Sequence, residues 1–202
     1  MRFFSKFAEK AIFEWNKSLQ RKIYQGFVFH AGTKQLETNP LLGAGNGHAL
    51  SRDLHLLIPQ LRLLRLLGSR AILDLGSGDG FVLRAAEKMN FLNLYGIEAD
   101  SALAEISRLN LTDAVIFQSY FQDFDPVEIG LPIDVVYIFN PDLPEIVEAT
   151  CLKLRPLSSR FYLTKNFKFS SNALTRLNVR LLWRLQSYTL YQTKGMKIEK
   201  TS

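Results

Sequence analysis

Ala71-Ile72-Leu73-Asp74-Leu75-Gly76-Ser77-Gly78-Asp79-Gly80 decides how this chain is read. Its first five residues have the composition of a buried strand, which stops at three alternating glycines. Phe81 to Met89 then reads as the start of a helix. A strand, a glycine-rich turn and a helix N-terminus let backbone approach a ligand closely, because glycine has no Cβ and accepts unusual backbone angles. A second acid, Glu98, closes the next apolar run, Leu94-Tyr95-Gly96-Ile97, and lies 22 positions past Gly76 (98 − 76). Together these features mark a site for a nucleoside-bearing cofactor.

The dinucleotide fingerprint G-x-G-x-x-G needs a third glycine at position 81, which is Phe here. A nicotinamide oxidoreductase is disfavoured on that ground. The spacing D-x-G-x-G-x-G, with Asp74 inside the strand, instead resembles the first motif of class I S-adenosylmethionine-dependent methyltransferases. The resemblance runs from about Arg70 to Phe169. It implies an α/β, Rossmann-like fold with N-terminal helices and a mostly parallel seven-stranded sheet that has an antiparallel C-terminal strand. It also implies S-adenosyl-L-methionine as cofactor. Carried over, the glycine loop Gly76, Ser77, Gly78 and Gly80 passes under the methionine part, Asp74 holds the ammonium, and Glu98 takes both ribose hydroxyls. The family often places an acid after strand 3 to hold adenine; here that acid is displaced to Asp123 or replaced around Tyr120, whose ring could stack on the base. By the same resemblance a loop upstream would fold over the cofactor and bring Asn46 and His48 to its methionine carboxylate or to the substrate; a flexible connector with glycines at its turns is an equally good reading.

After strand 4 comes Phe139-Asn140-Pro141-Asp142-Leu143. Asn-Pro begins the Asn-Pro-Pro-aromatic motif of amino methyltransferases, but Asp142 and Leu143 replace its second half. Asn140 and Asp142 are the catalytic candidates, orienting an amine or accepting its proton. An Asn-Pro-Asp turn is an equally good reading. Thr164-Lys165-Asn166-Phe167-Lys168-Phe169, following strand 5, is similar to the channel-lining segment of small lysine N-methyltransferases, and its basic-aromatic interleaving would also suit single-stranded nucleic acid. The reading is methylation of nitrogen on a macromolecule, a protein lysine ahead of RNA or DNA. A small-molecule acceptor and a non-catalytic binding module are the alternatives.

With 202 residues, 47% of them hydrophobic, the chain has room for one domain with a full core: a helical cap and cofactor-covering loop over 1–68, and a Rossmann-like core over 69–202. No apolar stretch is long enough to cross a bilayer. Lys6, Glu9, Lys10 and Glu14 interrupt what a signal peptide would need, so an intracellular, cytoplasmic protein is expected. One cysteine and three histidines show no zinc spacing, and no metal is indicated.

Charge is segregated. Residues 91–150 hold eleven acids and one base, whereas residues 151–202 hold eleven bases and one acid. A basic C-terminal face suits an anionic partner, and solvated surface charge accounts for it equally well. Phe3, Phe7, Ala11, Trp15, Leu19 and Ile23 repeat at helical spacing beside several lysines. Such a helix suits peripheral contact with a membrane or packing on its own domain, and packing is the preferred reading.

Ser51 is a candidate cap for the helix whose apolar face runs Leu54, Leu57, Ile58, Leu61 and Leu64. Further on, the pattern predicts a helix over 101–109 capped by Ser101, strand 3 over 114–117, strand 4 over 133–139, a helix over 143–154 and strand 5 over 161–164. The tail is ambiguous between an alternating strand and an arginine-striped helix. By resemblance it is read as strands near 178–186 and 188–194.

Overall fold

The computed structural model describes residues 18–19, 22–27, 54–130, 132–139, 141, 143–157 and 159–195. In chain order the regular elements from residue 54 onward are α1 (Leu54–Leu66), β1 (Ala71–Leu75), α2 (Phe81–Lys88), β2 (Asn93–Glu98), α3 (Ser101–Asn110), β3 (Ala114–Gln118), β4 (Val135–Phe139), α4 (Pro144–Leu154), β5 (Phe161–Lys165), α5 (Ser171–Leu177), β6 (Val179–Leu185) and β7 (Tyr188–Thr193). The seven strands form one sheet in the order β3-β2-β1-β4-β5-β7-β6. β1 to β5 pair in parallel, and β7 runs antiparallel to both β5 and β6. The chain reverses its direction of travel across the sheet between β1 and β4. In open α/β sheets a ligand binds at such a switch, outside the carboxyl ends of the strands.

Each sheet face carries its own core. Ile72, Val135, Tyr137, Phe161, Leu163 and Leu190 pack under α1 and α2, with Leu19, Ile23 and Phe27 from the N-terminal segment. Leu73, Leu75, Val136, Ile138, Tyr162 and Tyr191 pack under α4 and α5. Strands β1, β4 and β5 are apolar on both faces because helices cover both, as parallel strands require.

Element boundaries depart from the sequence reading where side chains take over backbone roles. The cap of α3 is Asp100, whose carboxylate accepts from the Leu103 N–H at 2.9 Å; Ser101 is already helical. β4 begins at Val135 because Asp134 is used otherwise. Its Oδ2 accepts from the Arg70 and Ala71 N–H groups at 2.6 and 2.9 Å, and its Oδ1 lies 3.0 Å from Arg160 Nε. β5 continues one residue further, to Lys165, because Tyr188 pairs with it. Helix α5 is an addition to the elements that the sequence pattern predicts. Ser170 caps it by accepting from the Ala173 N–H at 3.1 Å, Glu148 on α4 accepts from the Ser170 N–H and hydroxyl, and Asn178 in the left-handed region ends it. The ambiguous tail resolves as a hairpin of strands, with Arg180 and Arg184 on β6 and Arg176 on α5.

One partly buried carboxylate thus ties together the amino ends of β1, β4 and β5. Asp134→Ala removes the acceptor of two backbone N–H groups and a guanidinium, and hydrogen bonds to charged groups contribute roughly 1.5–3 kcal/mol each. The expected loss of stability is about 2–4 kcal/mol, read as a lowered urea midpoint at unchanged slope. An unaltered midpoint would show that Asp134 ties nothing.

Candidate functional site

At the carboxyl end of β1 the chain folds over the end of β2. The Gly76 and Ser77 N–H groups both donate to the Ile97 carbonyl, at 2.9 and 3.1 Å. Gly76, Gly78 and Gly80 have φ of 80°, 56° and 82°, a conformation costly for any residue with a Cβ. Their surroundings differ. A Cβ on Gly80 would lie 2.6 Å from Ser107 Oγ on α3, so this glycine lets the start of α2 approach its neighbour. A Cβ on Gly78 would meet nothing within 4 Å. Gly78 therefore borders open space, as the floor of a ligand cradle must.

Glu98 ends β2 and turns back onto this loop. Its Oε2 accepts from the Gly78 N–H at 2.8 Å and its Oε1 from the Asp100 N–H at 3.0 Å. Asp74, 2% exposed, sits one residue before the end of β1, and Asp79 is buried within the loop, its carbonyl accepting from Asn110 Nδ2 at 2.8 Å. Burial, with Glu98 and Asp79 close by, holds the Asp74 carboxyl well above the ordinary carboxylate range. Burial raises Glu98 as well, against the opposing pull of the Asp100 and Gly78 N–H groups. Burial disfavours the charged form of both carboxyls, and a cation placed beside them would favour it.

Ser77 turns beneath the loop. A Cβ on Gly96 would lie 2.6 Å from its hydroxyl oxygen, so Gly96 leaves room for Ser77 to pack, and the Ser77 side chain is directed at β2. Beyond β3 the Ser119 N–H donates to the Glu98 carbonyl at 3.0 Å, fixing where this loop leaves the sheet. Tyr120 is half-buried and Asp123 exposed; the Asp123 N–H donates to the Tyr120 carbonyl in a tight turn. The ring that reaches the glycine loop is Phe121, which would lie 3.5 Å from a Cβ on Gly76. No sequence pattern singles out Phe121 from its aromatic neighbours, because the turn that aims it exists only in the folded chain.

Phe81, at the position where a dinucleotide fingerprint has glycine, is buried. It meets Tyr24 at 5.6 Å and Phe27 edge-on at 5.5 Å between ring centroids. Arg84 donates to the Gln25 carbonyl at 3.3 Å. Leu19 and Ile23 are buried in the same core, so this part of the N-terminal apolar stripe packs on its own chain and is not offered to a bilayer. No helix among the described residues is long and apolar enough to cross a membrane. Asn46, His48, Ser51, Asn140 and Asp142 lie outside the described residues.

The segment after β5 corrects the sequence reading. Phe167 and Phe169 are core residues, edge-on to each other at 5.1 Å, with Phe169 also edge-on to Tyr162 and packed against Tyr191. They line neither a lysine channel nor a nucleic-acid platform. Lys168 is exposed, but Lys165 is 2% exposed and contributes nothing to a basic surface. Among the described residues of the C-terminal third, Lys153, Arg155, Lys168, Arg176, Arg180, Arg184 and Lys194 are the exposed bases.

No protein-family model matches the sequence, and no curated protein matches it. Solved structures do match in fold. The chain is similar to the magnesium protoporphyrin IX methyltransferase of Synechocystis PCC 6803 with bound SAH, at TM-score 0.55 and 11% identity over 88% of this chain and 93% of the other. It is similar to a Staphylococcus aureus protein assigned as a caffeoyl-CoA O-methyltransferase, at TM-score 0.54 and 13% identity over 70% and 83%. A third match, the methyltransferase domain of bacterial CtHen1, has TM-score 0.52 and 13% identity over 68% and 96%. The chain spans about half, 53%, of a sugar N-methyltransferase from Streptoalloteichus. With the sheet order β3-β2-β1-β4-β5-β7-β6, its antiparallel β7 and a glycine loop between β1 and α2, this chain has the class I S-adenosylmethionine-dependent methyltransferase fold.

Proposed function

We propose that the chain binds S-adenosylmethionine over the Gly76–Gly80 loop and transfers its methyl group to a small-molecule acceptor. The observation that carries the cofactor reading is the Glu98 carboxylate fastened to the Gly78 N–H at 2.8 Å, with Asp74 buried alongside and open space above Gly78. Glu98 would take the ribose hydroxyls, Asp74 the ammonium, and the residues around Tyr120, Phe121 and Asp123 the adenine. When bound, the cofactor supplies an electrophilic methyl on a sulfonium, so the protein has to align the acceptor and exclude water. Asn140 and Asp142 are the proposed acceptor-side residues. Small acceptors are favoured over macromolecules because the aromatic residues that suggest a lysine channel are in the core. The magnesium protoporphyrin IX and caffeoyl-CoA enzymes among the structural matches support the same reading.

Cofactor binding should release protons. A carboxyl raised by burial stabilises the unliganded fold while protonated, and that contribution is lost as pH climbs from the ordinary carboxylate range through the raised value. A bound cation lowers the same groups, so affinity for S-adenosylhomocysteine, which keeps the ammonium, rises with pH across that window. Calorimetric titration in two buffers of different ionisation enthalpy measures the proton count. Absence of binding would end the cofactor reading; binding without proton release would remove Asp74 from it. Incubation with methyl-labelled cofactor and fractionated small-molecule and macromolecular extracts then tests the acceptor class, and label confined to protein or RNA would overturn the small-molecule assignment.

A further inference from the structure

The two outer edges of the sheet carry opposite charge. At one edge β6 pairs with β7 alone; exposed Arg180 and Arg184 stand on it, with Arg176 on α5 and Lys194 just past β7. Residues 151–195 contain no acidic side chain. No carboxylate among the described residues pairs with any of these bases, and Arg180 donates to the neutral Gln192 amide at 3.1 Å. Leu181, Leu182 and Leu185, on the same strand, are exposed. At the other edge β3 pairs with β2 alone. Exposed acids surround it: Glu105 on α3, Asp113 immediately before the strand, and Asp123, Asp125 and Glu128 in the connection that follows. Val115 on β3 and Val127 in the connection are exposed as well. Of the bases near this edge, Arg108 donates to the Ile116 carbonyl at 2.8 Å and Lys153 to the Gln122 carbonyl at 2.6 Å.

Within one molecule these edges cannot neutralise each other. Six strand spacings separate β3 from β6, about 29 Å. Charge is screened over about 8 Å at physiological ionic strength. Two copies can bring the edges together. β7 runs antiparallel to both β5 and β6, so β6 runs parallel to β1–β5. A copy displaced along the strand order therefore sets its β6 beside β3 of the next copy, with both strands running the same way. The basic edge then meets the acidic one, and the β6 leucines meet Val115. We propose that the chain associates with itself head to tail, the β6 edge of one copy docking on the β3 edge of the next. Side chains make the contact. A continuous backbone ladder is opposed by the register shift between Leu181 and Trp183 and by Arg108, which already holds the Ile116 carbonyl. Pairing of two β6 edges is disfavoured, because it brings arginines against arginines. A head-to-tail contact leaves one edge of each kind open, so the assembly grows past two copies.

Sedimentation velocity of the full chain over a range of concentrations is the test, at about 0.01 M and about 1 M salt, where the screening length is about 30 Å and about 3 Å. At low salt the weight-average mass should rise past that of a dimer. At high salt association should weaken by about tenfold or more, a difference of roughly 1.4 kcal/mol. Arg180→Glu with Arg184→Glu gives two acidic edges, and Glu105→Lys with Asp113→Lys makes both edges more basic. Each double variant should be monomeric by itself, and an equal mixture of the two should associate again. Thermal melts check that both are folded. If either variant fails to fold, nitrogen-15 spectra of the wild type decide: on dilution the amides over 113–118 and over 181–185 should shift together. A chain that stays monomeric at low salt, association that stops at two copies, a mixture no more associated than its components, or dilution shifts confined to one edge would overturn the proposal. A monomer that instead binds phosphatidylglycerol vesicles or polyglutamate would give the basic edge to a membrane or to an acidic partner, and would overturn self-association.

Discussion

Glu98→Ala is expected to weaken S-adenosylhomocysteine binding by roughly 100-fold or more while the domain stays folded. On the proposed reading two ribose hydroxyls would lose a charged acceptor, and such hydrogen bonds contribute roughly 1.5–3 kcal/mol each, where 1.4 kcal/mol is tenfold in affinity. The structure adds a second cause. The same carboxylate accepts from the Gly78 and Asp100 N–H groups, so its removal also releases the loop on which the cofactor would lie. Stability should change little, because a buried carboxyl raised by desolvation is itself costly to the fold. Glu98→Gln separates the two causes. It retains one oxygen acceptor but turns its amide N–H towards one of the two backbone donors, so it should fall between wild type and alanine. Titration calorimetry beside a thermal melt is the measurement, and affinity within about threefold of wild type for the alanine variant, under 1 kcal/mol, would remove Glu98 from the site.

Gly78→Val and Gly80→Val should fail in different ways, although the two positions are two residues apart and share a left-handed backbone. At Gly78 the new Cβ meets no protein atom within 4 Å, so the fold is expected to bear mainly the backbone cost, about 1–2 kcal/mol. The branched side chain then occupies the space above the loop, and S-adenosylhomocysteine binding should be lost from a protein that still melts cooperatively. At Gly80 the new Cβ lies 2.6 Å from Ser107 Oγ, 3.1 Å from Leu111 Cδ1 and 3.3 Å from Ser107 Cα. Part of that contact is backbone, which cannot swing away. The start of α2 must therefore separate from α3, and Gly80→Val should lose roughly 3 kcal/mol or more of stability, in the range of severe overpacking plus strain. A Gly78→Val protein that binds normally would show that the cofactor does not cross this loop. Equal stability losses at both positions would show that the loop is only a turn.

The glycine loop, the acid at 98 and the succession of strands and helices from Ala71 to Lys165 are legible in the amino-acid sequence. Each is written locally: alternating glycines permit the left-handed φ that a tight turn needs, and apolar runs of strand length bounded by turn residues have few other conformations. Ends of elements are less legible. Whether Asp100 or Ser101 caps α3, and whether Asp134 joins β4 or ties β1, depends on where a short polar side chain finds its partner. Helix α5 is hidden because its seven residues carry too little periodicity, and its Ser170 cap is reinforced by Glu148, 22 residues earlier in the chain.

Burial of charge and of aromatic rings is decided only by the tertiary structure. Lys165, Phe167, Lys168 and Phe169 read in sequence as an exposed basic-aromatic segment, yet the fold exposes Lys168 and buries the other three. β7 is the cause: it pairs antiparallel with β5, sets Tyr188 beside Lys165 and brings Tyr191 to Phe169. A strand's own residues determine which side chains share a face. The strand hydrogen-bonded beside it, and the helices laid over that face, determine whether the face is wet.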